Sequence, residues 1–241
     1  MPRILKASVL QMANLTPYER NLERLLMHLD ALKDQDIVLA PEVSMTDYDY
    51  EHLEAAAAFG EAVERVLCER TGDQIVGLTR LTHHAEGRYT NDAVVIHDHR
   101  VVHRQSKHKL FLLGEEDKYL AAGSAEGVRL FEINGIRYGV LICFELRFKD
   151  LWKQLEGADV ILVPSQWGLP RKRHLEILAP ALAVMNQAYV LVANSAREDM
   201  ARSSMLCSPD GGVVMEDASE AISGTIDLGL LETMRRYIVM K

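Results

Sequence analysis

Apolar positions along the chain fall into two rhythms that alternate with each other. Ile4–Met12 is an apolar-rich run that predicts a strand, and Tyr18–Lys33 sets Leu22, Leu25, Leu26 and Leu29 at helical spacing. Ile37-Val38-Leu39-Ala40 reads as a short buried strand stopped by Pro41. Tyr50–Arg70, rich in Ala and Glu, predicts a helix, and Gln74–Thr79, Ala93–His97 and Val101–Arg104 predict strands. Gln105–Gly123 has no clear period and reads as a long loop, a kind of segment that often carries function. Beyond it, Val128–Ile133 and Tyr138–Ile142 flank Asn134-Gly135, a strong hairpin signal. Leu146–Glu156 predicts a helix, Val160–Val163 a buried strand, Leu175–Gln187 a helix and Tyr189–Ala193 a strand. Met205–Cys207 and Val213–Met215 are joined by the turn residues Pro209-Asp210-Gly211-Gly212, and Ile222–Ile226 and a short helix close the chain. No repeat, linker or low-complexity segment interrupts this series. Strands with interspersed helices imply a layered α/β fold in which helices cover sheet.

Composition narrows the function classes. The 241 residues carry 27 Lys and Arg against 35 Asp and Glu, a net charge of −8. That balance argues against general affinity for nucleic acid or anionic membrane. No apolar run is long enough to span a bilayer, and the N-terminus lacks a signal-peptide layout. The three cysteines, Cys68, Cys143 and Cys207, form no disulfide framework and fit a reducing cytoplasm.

One cysteine stands out by position. Cys143 ends the apolar run Tyr138-Gly139-Val140-Leu141-Ile142, just before the helical pattern that begins at Leu146. A strand-to-helix turn exposes its side chain and points backbone N–H groups outward, which can hold an oxyanion and lower a thiol pKa. The competing interpretation is a buried core cysteine, which is how Cys68 and Cys207 read. Glu42 follows another buried strand, where functional groups collect in α/β sheets. Lys107 opens Lys107-His108-Lys109-Leu110-Phe111 in the long loop. Each of these two alone reads as an ordinary polar side chain.

Their flanking residues change that. Ala40-Pro41-Glu42, then Lys107-x-x-Leu110-Phe111, then Cys143-Phe144-Glu145-Leu146-Arg147-Phe148 together resemble the nitrilase, or carbon–nitrogen hydrolase, superfamily. Supporting stretches run nearly end to end: Gly157-Ala158-Asp159-Val160 leading to Pro164-Ser165-Gln166-Trp167, Asn186 to Val190, and Ser204 to Pro209-Asp210-Gly211. The resemblance implies one domain over residues 1–241 with a four-layer α-β-β-α sandwich, no metal and no other cofactor. It implies a Glu–Lys–Cys triad of Glu42, Lys107 and Cys143, with Glu115 orienting Lys107 or the substrate amide. In those roles Glu42 takes the thiol proton and later activates water. Cys143 forms a thioester, while Lys107 and the Phe144 N–H hold the oxyanion. The resemblance further implies a homodimer or higher homo-oligomer. Lys109, Glu145, Lys149, Leu182 and Ser208 depart from the commoner family residues and leave the branch and substrate open.

The Cys143–Phe148 segment and Trp167 resemble the omega-amidase-like branch, which implies a small monoamide as substrate. A carbamoyl-amine hydrolase, a nitrilase and a non-catalytic scaffold are the alternatives. Arg147, four residues after Cys143, either grips a substrate carboxylate or pairs with Glu145 or Asp150. Trp167 reads as pocket wall or as packing. His83, His84, His97, His99, His103 and His108 read as solvated loop residues, although His97-x-His99 could set two rings on one strand face as for a metal. Arg171-Lys172-Arg173-His174 reads as a solvated basic face or as a contact for an anionic substrate or partner.

Overall fold

A computed structural model describes residues 4–240. Its elements follow the alternation closely. They run β1 (Ile4–Leu10), α1 (Glu19–Ala31), β2 (Ile37–Leu39), α2 (Leu53–Arg70), β3 (Ile75–His84), β4 (Arg88–His97), β5 (Arg100–Ser106) and α3 (Glu116–Tyr119). The second half holds β6 (Phe131–Ile133), β7 (Ile136–Val140), α4 (Lys149–Gln154), β8 (Val160–Ser165), α5 (Lys172–Asn186), β9 (Tyr189–Asn194), β10 (Met205–Cys207), β11 (Val213–Met215), β12 (Ala221–Asp227) and α6 (Leu228–Tyr237).

Two six-stranded mixed sheets result, in the orders β12-β1-β2-β3-β4-β5 and β11-β10-β9-β8-β7-β6. Period-two alternation decides which face each residue serves. Leu5, Ala7 and Val9 of β1, Ile37 and Leu39 of β2, and Ala93 and Val95 of β4 face the second sheet and share its core. Their neighbours Val38, Val76, Leu78, Val94 and Ile96 face outward and meet Leu25 of α1 and Val63 and Leu67 of α2. Leu175, Ala179 and Leu182 of α5 and Leu151 of α4 cover the outer side of the second sheet. The layers are therefore α-β-β-α. At Gly77 a Cβ would lie 2.8 Å from the Leu39 side chain of the neighbouring strand β2 and 3.6 Å from Leu162 of the second sheet, so a larger residue there would require Leu39 to shift.

The Asn134-Gly135 turn forms as predicted, with positive φ at both residues and Ile133 opposite Ile136. β3 and β4 are longer than their apolar runs suggest, because a hairpin carries His83 and His84 beyond the core. β1, β2 and β3 are parallel to one another, as are β7, β8 and β9, so their carboxyl ends come together at one edge of the sandwich. Among the described residues no helix is long and apolar enough to cross a membrane.

Candidate active site

Cys143 opens a 3-10 turn over Cys143–Arg147, three residues past the end of β7. Its φ of 48° lies in the left-handed region, unusual for a residue with a side chain. The carboxylate of Glu145 holds the turn in place. Its Oε2 accepts from Ile142 N–H at 2.7 Å, while its Oε1 accepts from His108 N–H at 2.6 Å and Lys109 N–H at 3.3 Å. This fully buried side chain thus ties the turn of Cys143 to the segment just after Lys107.

Glu42 reaches the same place from the first sheet, three residues past β2. Its N–H donates to Ser165 O of β8 at 3.3 Å, and the next residue's N–H donates to Thr79 Oγ1 at 2.7 Å. The Glu42 carboxylate is almost fully enclosed by donors. Oε1 accepts from Lys107 Nζ at 2.8 Å, Tyr48 OH at 2.6 Å and Asn91 Nδ2 at 2.9 Å, and Oε2 accepts from the Gln166 N–H at 3.1 Å. Lys107 is completely buried, and it also donates to Glu116 Oε1 at 2.7 Å. Its backbone is fixed on both sides, by Lys107 N–H to Asn91 O and Gly123 N–H to Lys107 O, each at 2.8 Å.

The charges follow from this packing. Burial by itself would push the Lys107 ammonium down, but the Glu42 and Glu116 carboxylates win and raise it well above the ordinary lysine range. Burial raises the Glu116 carboxyl, against the pull of Lys107. Burial and the Glu42 charge push the Cys143 thiol well above its ordinary value, with Lys107 opposing. The expectation that the turn would lower the Cys143 pKa is therefore corrected: lost hydration outweighs the nearby donors. A thiol pushed up in this way beside a carboxylate suits proton transfer during attack rather than a standing thiolate.

The pocket above Cys143 has a volume of ≈ 310 Å³ and is bordered by Glu42, Asp47, Tyr48, Glu116, Gln166, Arg171 and Arg197 among others. A smaller adjoining hollow adds Phe144, Arg147 and Trp167 to its lining. Phe144 packs against Phe111 with ring centroids 5.0 Å apart. Arg147 stacks on Trp167 at 4.7 Å, and Arg171 lies over Phe111 at 5.0 Å. Trp167 is both wall and packing, since it is buried and its Nε1 donates to Arg171 O at 2.7 Å. Arg147 pairs with neither acid proposed for it. Glu145 is consumed by backbone donors, Asp150 pairs with Lys109, and Arg147 Nη2 sits 2.9 Å from His174 Nδ1.

Residues 6–236 match the carbon-nitrogen hydrolase family. The chain belongs to that family. The hydrolase is 29% identical over 208 residues to a 2-oxoglutaramate amidase of Bacillus subtilis, covering 81% of this chain and 80% of that one. It is 26% identical to the omega-amidase YafV of Escherichia coli K12, covering 93% of this chain and 86% of the relative. Its fold superposes with a TM-score of 0.86 on XC1258 of Xanthomonas campestris, a CN-hydrolase superfamily protein with an arsenic adduct in its active site. That pair is 21% identical, with 98% of this chain and 95% of the other covered. The hydrolase acts on non-peptide carbon–nitrogen bonds, and its sequence relatives lie on the omega-amidase side of the family.

Four expectations about the hydrolase are corrected by the geometry. Glu115 does not reach Lys107. It takes a left-handed backbone, φ 58°, between a 3-10 turn and α3, so its side chain points outward to Lys118 at 2.7 Å and the next residue, Glu116, turns inward. The basic run is not wholly a solvated face, because Arg171 lines the pocket and Lys172 pairs with Asp217. His103 is not a solvated loop residue: it is buried on β5, stacked on Phe131 at 4.1 Å. His97 and His99 do not share a strand face, since β4 ends at His97 and His99 lies in a turn with φ 60°. Among the described residues no cluster of three or more His, Cys, Asp or Glu is arranged for a metal. Tyr48, Asn91 and Gln166 carried no local signal, because their contacts with Glu42 span 6, 49 and 124 positions.

Proposed function

We propose that the hydrolase converts a monoamide of a small dicarboxylic acid to the diacid and ammonia through a Cys143 thioester, as a single catalytic domain. The observation that carries this is the buried Glu42–Lys107–Glu116 charge unit at the base of a pocket into which Cys143 opens. Cys143 Sγ attacks the amide carbonyl carbon while its proton passes to Glu42. The carbonyl electrons move onto oxygen, and Lys107 Nζ with the Phe144 N–H hold the oxyanion. Phe144 stands in the first turn of a short helix, where N–H groups lack intrahelical acceptors. The intermediate collapses, the C–N bond breaks, and Glu42 returns the proton to the departing nitrogen. Water then attacks the thioester, losing a proton to Glu42, and the second collapse releases the acid and restores the thiol. The net change is amide plus water to acid plus ammonia.

The substrate class rests on the arginines. Among the described residues no carboxylate pairs with Arg147 or Arg171, although both border the pocket of a chain with net charge −8. Two unneutralised guanidiniums beside each other suit a carboxylate, gripped by paired hydrogen bonds. Burial, joined by repulsion from Arg171, already lowers the Arg147 pKa. The relative named for 2-oxoglutaramate acts on an amide of this kind. Ammonia release should be measured on monoamides with and without a distal carboxylate, on carbamoyl compounds and on nitriles. Arg171→Ala and Arg147→Ala should each lower kcat/KM on acidic amides by about 10- to 100-fold, the worth of a charged hydrogen bond, and leave neutral amides nearly unchanged. Equal loss on both substrate types with a lower melting temperature would assign the arginines a structural role. Preference for carbamoyl compounds or nitriles would move the substrate assignment.

A homo-oligomer in the cytoplasm completes the proposal. Three free thiols fit a reducing compartment. Exposed Ile177, Val184 and Met185 on α5 offer apolar surface to a second copy. Light scattering at micromolar concentration should give at least twice the 27.1 kDa chain mass, and a monomer removes this part.

A further inference from the structure

Asp47 lies on the loop after β2 with φ 59°, a backbone that glycine adopts freely and a residue with a side chain seldom does. Its carboxylate is fully engaged. Oδ1 accepts from the Tyr48 N–H at 2.9 Å and from Gln166 Nε2 at 3.0 Å, and Oδ2 accepts from Arg197. These first two donors are the same residues that hold the two oxygens of Glu42. Tyr48 donates its hydroxyl to Oε1 at 2.6 Å, and Gln166 donates its N–H to Oε2 at 3.1 Å. Gln166 Nε2 also donates to the Glu42 carbonyl oxygen at 3.1 Å. Asp47, at the rim of the pocket, thus ties together the holders of Glu42 from both sheets. Arg197, which binds Asp199 through Nε at 3.0 Å and Nη2 at 2.7 Å, offsets the Asp47 charge. The Arg197 guanidinium, shared between the two carboxylates, screens part of the Asp47 charge from Glu42.

We propose that Asp47, paired with Arg197, is a positioning residue for Glu42: it fixes Tyr48 and Gln166 so that the Glu42 carboxylate keeps one orientation toward Cys143. This rests on Glu42 acting as the base of the reaction proposed above. Base catalysis depends steeply on such alignment, so loss of the tie lowers the rate of proton transfer without emptying the substrate pocket.

The test compares Asp47→Gly and Asp47→Asn. Glycine suits the left-handed backbone and removes the carboxylate, whereas Asn tolerates that backbone and keeps an acceptor for Tyr48 and Gln166. Two readouts are taken: kcat and KM on the best amide, and the rate of Cys143 alkylation by iodoacetamide with no amide present, with melting temperature as control. Mass spectrometry of the Cys143 peptide is compared with the Cys68 and Cys207 peptides. Asp47→Gly should lower kcat at least tenfold with KM within about twofold, slow Cys143 alkylation in parallel, and leave the melting temperature near that of the parent. Asp47→Asn should recover most of both rates. Native kcat and alkylation in Asp47→Gly, a change confined to KM, or equal loss in both variants would each overturn the proposal. If Glu42→Gln leaves both kcat and Cys143 alkylation at the native rates, the base assignment itself fails and takes the proposal with it. Fast alkylation in both the unmodified chain and Asp47→Gly overturns only the role of Asp47.

Discussion

Cys143→Ala should abolish ammonia release on the best amide, with a loss on the order of 10⁴-fold or more, while the protein stays folded. The size follows from the route: with no sulfur, no thioester forms, and water would have to attack an amide directly. The fold should survive because the substitution removes a single atom from a residue at the edge of the core. The elbow is held instead by Glu145, whose carboxylate accepts three backbone N–H groups independently of Cys143. The comparison needs kcat on the best amide and a thermal melt of both proteins. Near-native ammonia release from Cys143→Ala would end the thioester mechanism. Unfolding without turnover would show that the thiol had been structural.

Lys107→Met should be costly twice over. Its ammonium is completely buried between Glu42 and Glu116, at 2.8 and 2.7 Å. Removing it takes away the cation assigned to the oxyanion and leaves two buried carboxylates facing each other. Breaking a buried ion pair in this way costs about 3–5 kcal/mol of stability. It should also lower kcat by about 10²–10³-fold, as losing an oxyanion donor does. The pH dependence has a definite sign. Burial already raises the Glu116 carboxyl in the intact chain, and without Lys107 the largest opposing influence is gone, leaving only the Phe111 N–H bond against it. A carboxyl whose folded-state pKa is raised destabilises the fold once pH exceeds its unfolded value of about 4.3. The stability deficit of Lys107→Met should therefore be largest at neutral pH and shrink toward pH of about 5, as a proton is taken up. Urea unfolding at both pH values measures this, and a pH-independent deficit would contradict it. Glu42→Gln, which keeps size and hydrogen bonding but not basicity, should cost about 10²–10⁴-fold in kcat with a smaller effect on stability.

Legibility in the sequence tracked the range of the interactions involved. The strand ends that carry Glu42 and Cys143 were marked locally, by a buried apolar run ending at Pro41 and another ending at the elbow. The turn at Asn134-Gly135 was equally local, because its two residues tolerate positive φ. Glu115 shows where local counting fails. Its distance along the chain from Lys107 was suitable, yet one left-handed residue between two short helical turns reverses the side on which a side chain emerges. Spacing gives no warning of this, since Glu116 has the same chemistry one position later. His103 was misplaced for a related reason. A histidine among polar neighbours looks solvated until the opposing sheet supplies Phe131 to stack on it.

The sequence by itself determined the alternation of strands and helices, and its family resemblance marked Glu42, Lys107 and Cys143 as the candidate triad. These depend on periodicity and on neighbours along the chain. Only the tertiary structure decided that Glu116 rather than Glu115 meets Lys107, that Arg171 joins Arg147 at the pocket, and that Asp47 ties together the holders of Glu42. These depend on which strand ends converge when two sheets pack face to face. Asp47 and Arg197 are 150 positions apart, and Glu42 and Gln166 are 124 apart. No periodicity encodes such contacts. They exist because burial of the two inner sheet faces brings the carboxyl ends of β2, β7 and β8 to one edge, where polar groups removed from water must find one another.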